Sequence, residues 1–150
     1  MKRSVSALEY SLTLLGRRDY CCQDLGLKLK KRGYKKEEVL EAIDRLCQWG
    51  YLNDEAYAAT QIDRFLQAGR SRAYIRKRLL SSGVELEIIE SGLEKGYSPE
   101  KEKEIIKKLW EKMLERANKV PPGEKEIYKW ARRLYAAGFP PEEIKTYLIR

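Results

Sequence analysis

Residues able to act as nucleophiles, bases or metal ligands are few in this chain, and cations are many. None of its 150 residues is a histidine, which removes imidazole general bases, Ser/His/Asp and Cys/His nucleophilic systems, and the commonest zinc and iron ligand sets. The three cysteines, Cys21, Cys22 and Cys47, have no Cys-x-x-Cys spacing, and an odd number with no imidazole partner completes no familiar metal site. Adjacent side chains such as Cys21 and Cys22 point about 100° apart on a helix, which suits neither a disulfide nor a metal between them. They read as small, partly buried residues near a helix start. Paired carboxylates occur at Glu37 with Glu38 and at Glu142 with Glu143. Both pairs fall where helices open, so they read as charges meeting the helix dipole rather than as an acid and base in opposed environments. Neither Gly-x-x-x-x-Gly-Lys nor Gly-x-Gly-x-x-Gly occurs, so there is no recognisable phosphate loop. The expectation is a protein that is not an enzyme and has no metal, no cofactor and no small-molecule substrate.

What remains is the positive charge. Lys plus Arg number 31 against 23 Asp plus Glu, a formal net charge of +8. Residues 1–50 carry a net +4, residues 51–97 carry 0, and residues 98–150 carry +4. The middle segment is neutral only on average: Arg64, Arg70, Arg72, Arg76, Lys77 and Arg78 follow one another with no acid between them. Comparable runs hold Lys28, Lys30, Lys31 and Arg32 in the first segment, and Lys129, Arg132 and Arg133 in the third. Such blocks read either as aliphatic stems covering a core with their charges in water, or as a surface for an anionic polymer or an acidic groove. Tyr74, inside the middle block, reads as packing between helices, with stacking or hydrogen bonding to a partner as the alternative.

These side chains must be positioned by helices. The apolar fraction is 43% and the charged fraction 36%, which argues against disorder along the whole chain. The longest apolar runs are four residues, at 56–59 and 134–137, so nothing spans a membrane and no signal-peptide core is expected. Free cysteines fit a reducing cytoplasmic setting.

An internal repeat sets the organisation. Windows 25–43, 75–93 and 130–148 share one scaffold. Leu25, Ile75 and Trp130 begin it, Leu29, Leu79 and Leu134 follow, and Gly33, Gly83 and Gly138 come four residues later. Tyr34, Val84 and Phe139 succeed the glycines; Glu37, Glu87 and Glu142 open the next helix; Val39, Ile89 and Ile144 continue it, and Ile43, Leu93 and Leu148 close it. Apolar residues four apart occupy one helical face, and the glycine supplies a left-handed terminator. Upstream of each pair lies a further apolar stripe: Leu8, Leu12 and Leu15; Ala58, Ile62 and Phe65; Ile106, Trp110, Met113 and Ala117. Asn53 and Asp54 suit the start of the second such helix, and Ser98 with Pro99 the third. No strand-like alternation is sustained.

The reading is all-α: an elongated right-handed array of three tandem three-helix repeats, at 1–52, 53–97 and 98–150, with one compact nine-helix bundle as the alternative. Short three-helix units cover their apolar faces poorly alone, so stacking supplies the core. One column is basic in all three copies: Lys28, Arg78 and Arg133 each precede the shared leucine. A helix-turn-helix base reader fits poorly, because the basic runs lie before the glycine and the helix after it is acidic.

The residues 7–10 (Ala-Leu-Glu-Tyr), Leu15-Gly16-Arg17-Arg18-Asp19, Lys28-Leu29, Gly50-Tyr51-Leu52-Asn53-Asp54-Glu55, Ile75-Arg76-Lys77-Arg78-Leu79 and Arg133-Leu134 through Gly138-Phe139 together resemble the RecX family, regulators of the bacterial recombinase RecA. Asn53-Asp54 stands where the family usually has two aspartates, and Cys21 where it has a serine cap that Ser71 keeps in the second copy. The resemblance implies a monomer that lies in the groove of the RecA filament on single-stranded DNA. It also implies inhibition of RecA's ATPase, strand exchange and co-protease activities, limiting recombination and the SOS response. The residues expected to meet the filament or its DNA are Arg17, Arg18, Lys28, Lys31, Arg32, Arg64, Arg70, Arg72, Arg76, Lys77, Arg78, Lys129, Arg132 and Arg133. The alternatives are a single-stranded nucleic-acid-binding protein acting without RecA, and a helical adaptor for another protein.

Overall fold

The computed structural model describes residues 4–117 and 120–148, and within them every regular element is an α-helix. In chain order these are α1 (Ala7–Leu15), α2 (Cys22–Arg32), α3 (Lys36–Gln48), α4 (Asp54–Gln67), α5 (Arg72–Ser82), α6 (Leu86–Gly96), α7 (Pro99–Glu115), α8 (Glu124–Ala136) and α9 (Pro141–Leu148).

The shared scaffold folds as its spacing requires. Gly33, Gly83 and Gly138 all take left-handed φ, 105°, 92° and 94°. The amide after each glycine donates to the carbonyl of the shared leucine: Tyr34 to Leu29 at 3.2 Å, Val84 to Leu79 at 3.1 Å, Phe139 to Leu134 at 3.2 Å. Each glycine amide meanwhile bonds the next carbonyl, at Lys30, Leu80 or Tyr135. This pairing is the Schellman terminator, and it turns the chain sharply into the following helix. Helix starts follow their caps: Ser6, Asn53, Ser71 and Ser98 each accept a first-turn amide on a side-chain oxygen.

The buried apolar side chains fall into three clusters. One joins Leu14, Leu25, Leu29, Val39 and Leu46 from α1 to α3. The second joins Ile62, Ile75, Leu79, Ile89, Leu93 and Tyr97 from α4 to α6, together with Cys21 from the preceding triplet. The third joins Ile106, Trp110, Trp130, Leu134 and Ile144 from α7 to α9, where the Trp110 and Trp130 rings meet edge to face at 5.5 Å. Three small cores in series leave an extended outline. The accessible surface is 10704 Å², against about 7,900 Å² for a compact monomer of 17.6 kDa. The elongated tandem arrangement therefore prevails over the compact bundle.

In α1 the buried stripe differs from the expected one. Ala7, Ser11 and Leu14 are buried, Leu8 and Leu15 pack at the margin, and Leu12 is exposed. Ser11 is tolerated inside because its hydroxyl donates to the Ala7 carbonyl at 2.7 Å.

Candidate functional site

Successive triplets are joined by the same construction, used twice. At the first joint the Cys22 amide, in the first turn of α2, donates to Asp54 Oδ1 at 2.9 Å, and Cys21 Sγ donates to the Ser82 carbonyl at 3.0 Å. At the second, the Arg72 amide donates to Glu102 Oε2 at 2.8 Å, and Ser71 Oγ donates to the Ala137 carbonyl at 2.7 Å. In each case the open end of a middle helix is satisfied by a carboxylate from the first helix of the next triplet. The N-cap side chain reaches the last carbonyls of the next middle helix, beside its glycine. A Cβ on Gly83 would lie 2.7 Å from Gln23 Cβ, and one on Gly138 would lie 2.7 Å from Ser71 Oγ, whereas a Cβ on Gly33 would meet nothing within 4 Å. These joints fix the register of the middle helices, which carry the basic column.

Of the fourteen cations expected to face a partner, twelve are exposed. Lys28, Lys31 and Arg32 lie on α2, Lys77 and Arg78 on α5, and Lys129, Arg132 and Arg133 on α8. Arg17 and Arg18 follow α1, Arg64 lies on α4, and Arg70 lies between α4 and α5. Three of these are steadied by aromatic rings: Arg18 over Tyr20 at 3.8 Å, Arg32 over Tyr10 at 3.9 Å and Arg70 over Tyr74 at 4.6 Å. Tyr74 also meets Phe65 edge to face at 5.6 Å, so it packs between helices and holds an arginine at once.

The remaining two are engaged within the fold. Arg76 makes a two-bonded ion pair with Glu90, Nε to Oε1 and Nη2 to Oε2, and its hydrogen bond holds the Glu90 carboxyl below the usual carboxylate range. Arg72 is half-buried at the second joint, where its Nε is buried with no hydrogen-bond partner among the described residues. Arg76 thus ties α5 to α6 within the second triplet, and Arg72 lies beside Glu102 at the joint with the third. The signal for this was absent from local sequence, since Glu90 and Glu102 lie 14 and 30 residues away.

The structure brings four of the exposed cations together. Arg17, Arg18, Arg64 and Arg78 line a cleft of about 840 Å³ between the first two triplets. Asp19, Asp24 and Tyr57 also line it. The basic groups on α8 and at the Gly33 end of α2 do not reach this cleft. Sequence reasoning missed Asp54 and Glu102 as joint residues: Asp54 reads as a cap by position, yet Asn53 makes the cap and leaves the Asp54 carboxylate free for the neighbouring triplet. Among the cysteines, Cys22 Sγ lies 3.7 Å from Cys47 Sγ, a contact between α2 and α3. Burial beside Asp54 pushes the Cys22 thiol well above its usual range.

The model of the first three-helix domain of RecX matches residues 7–46, which span α1, α2 and most of α3. A regulatory protein RecX from Caldanaerobacter subterraneus subsp. tengcongensis is 36% identical over 142 residues, covering 95% of this chain and 68% of that relative. The chain belongs to the RecX family of regulatory proteins. Another RecX, from Trichlorobacter lovleyi, is 29% identical over 136 residues, covering 90% of this chain and 88% of the relative. The crystal structure of RecX from Lactobacillus salivarius superposes with a TM-score of 0.81 at 20% identity, covering 95% of this chain and 92% of that one. A second RecX crystal structure gives 0.80 at 24% identity, covering 94% and 69%. The RecX fold is thus shared along nearly the whole chain.

Proposed function

We propose that this RecX-family protein binds in the helical groove of the RecA filament on single-stranded DNA and inhibits RecA. The activities lowered would be ATP hydrolysis, strand exchange and co-protease action, and with them recombination and the SOS response in the cytoplasm. The observation that carries this reading is the exposed cation set, led by Lys28, Arg78 and Arg133 at the matched position of each middle helix. A rigid array presenting the same charge at each repeat suits a partner that is itself a repeating polymer with an anionic strand. The three units, at 1–52, 53–97 and 98–150, would each contribute one contact, so a monomer would bridge neighbouring RecA subunits. Arg72 and Arg76 would act by holding the second unit in place, and the other twelve cations by meeting the filament.

Sedimentation with preformed RecA filaments tests this. The native protein should pellet with them, and a triple K28E/R78E/R133E variant of unchanged helicity should remain in the supernatant. Equal pelleting of the two would remove the cation row from the account.

A further inference from the structure

The cleft between the first two triplets is lined by arginines together with the aromatic side chains Tyr57 and Phe65. Its arginines come from three separate elements: Arg17 and Arg18 from the turn after α1, Arg64 from α4, and Arg78 from α5. All four are exposed, and none has a carboxylate within ion-pair distance among the described residues. Four unneutralised guanidinium groups converging from two triplets repel one another. Such an arrangement is stabilised by an anion that several of them share.

An adjoining groove of about 210 Å³ shares Leu15, Asp19 and Tyr57 with the cleft and adds Tyr20 and Tyr51. Tyr51 is 60% exposed and lines this adjoining groove, which meets the arginine cleft along Leu15, Asp19 and Tyr57. Flat aromatic faces next to a cationic channel are the combination that holds single-stranded nucleic acid: guanidinium groups follow the phosphates and rings receive the bases. Asp19 and Asp24 lie in the same cleft, and Asp19 also borders the adjoining groove, so the phosphates would keep to the arginines while an uncharged base, not a phosphate, passes Asp19 toward Tyr51.

We infer that this cleft is a binding site for a short stretch of single-stranded DNA, with Arg17, Arg64 and Arg78 on phosphates and Tyr51 stacking on a base. This deepens the proposed filament reading, which it rests on for the choice of DNA as occupant, but it requires no contact with RecA. An acidic protein segment is the competing occupant; it would use the arginines and leave Tyr51 without a role.

The test is fluorescence anisotropy of a labelled oligo-dT strand without RecA, across a salt series, on four proteins: native, R64E/R78E, Y51A and K129E/R132E. The last pair matches the charge change at a distance from the cleft. The cleft site predicts salt-dependent binding by the native protein. It predicts at least a tenfold loss in R64E/R78E with a salt slope shallower by about 1.4, the value for two phosphate contacts on a single strand. Y51A should weaken binding severalfold, and K129E/R132E should change it less than R64E/R78E. No binding by the native protein, or equal losses in the two charge-reversed pairs, would overturn the proposal. So would an unchanged affinity in Y51A. Each protein is also assayed for inhibition of RecA's ATPase: a cleft variant that loses the oligonucleotide yet still inhibits leaves the cleft standing and separates it from the filament reading. A cleft variant that keeps the oligonucleotide but loses inhibition of RecA assigns the cleft to acidic protein instead and overturns the proposal.

Discussion

Ser71 joins two repeats through one hydroxyl: its Oγ donates to the Ala137 carbonyl at 2.7 Å while accepting the Tyr74 amide at 3.0 Å. The same oxygen thus caps its own helix and ties the start of α5 to the end of α8. Ser71→Ala should lower stability by about 1–2 kcal/mol, the loss of an N-cap plus one buried hydrogen bond. At the equivalent first joint Cys21 bonds the Ser82 carbonyl but makes no side-chain cap bond to its own helix. Cys21→Ser should therefore stabilise by up to about 1 kcal/mol. Chemical denaturation of the two variants checks both signs.

Glycine substitutions should separate helix termination from repeat packing. Gly33→Ala meets only the backbone strain of a left-handed alanine, about 1–2 kcal/mol, because nothing lies near its Cβ position. Gly138→Ala adds a clash with Ser71 Oγ at the joint, so it should cost at least about 1 kcal/mol more. Equal losses for the two would mean that the second joint is looser than the structure shows.

Glu102 and Glu90 should make opposite contributions to the pH dependence of stability. Burial raises the Glu102 carboxyl above its ordinary value despite the bond from the Arg72 amide. Its stabilising contribution is therefore full in acid, below the ordinary glutamate range, and is lost as pH rises through the raised value. Glu90, held low by Arg76, contributes stability above the ordinary glutamate range and loses it as pH falls through its depressed value. Glu102→Gln keeps an acceptor for Arg72 and removes the charge. It should match or exceed the native melting temperature at neutral pH, with the gap closing on acidification. Glu102→Ala, which leaves the amide unpartnered, should instead lose about 1–3 kcal/mol. The Arg76–Glu90 pair is partly exposed, so Arg76→Ala should cost less than about 1 kcal/mol.

Thiol labelling should proceed in the order Cys47, Cys22, Cys21. Cys47 is exposed, Cys22 half-buried and Cys21 fully buried, and burial raises both the Cys22 and Cys21 thiols, which keeps them in the unreactive protonated form at neutral pH. Timed alkylation followed by mass spectrometry reads the order directly.

Much of this architecture is legible in the sequence, because the information is local. Leu25, Leu29, Gly33 and Tyr34 and their two sets of counterparts specify a helix and its terminator within ten residues. Exposed cations such as Lys28, Arg78 and Arg133 are legible too, since each stands beside a leucine that must be buried. The joints are not, because the carboxylates of Asp54 and Glu102 meet amides 32 and 30 residues away, and no short-range pattern marks a pairing made by stacking. For the same reason Arg72 and Arg76 look in sequence like their exposed neighbours Lys77 and Arg78. The cleft of Arg17, Arg18, Arg64 and Arg78 likewise forms only once two repeats are stacked.

Restraint of RecA through the exposed cations is read from RecA's single-strand-dependent ATP turnover during titration with the protein. Turnover should fall progressively to a low plateau with the native chain and stay near its starting rate with a folded K28E/R78E/R133E variant. Undiminished turnover at saturating native protein, or equal inhibition by the charge-reversed variant, would contradict it.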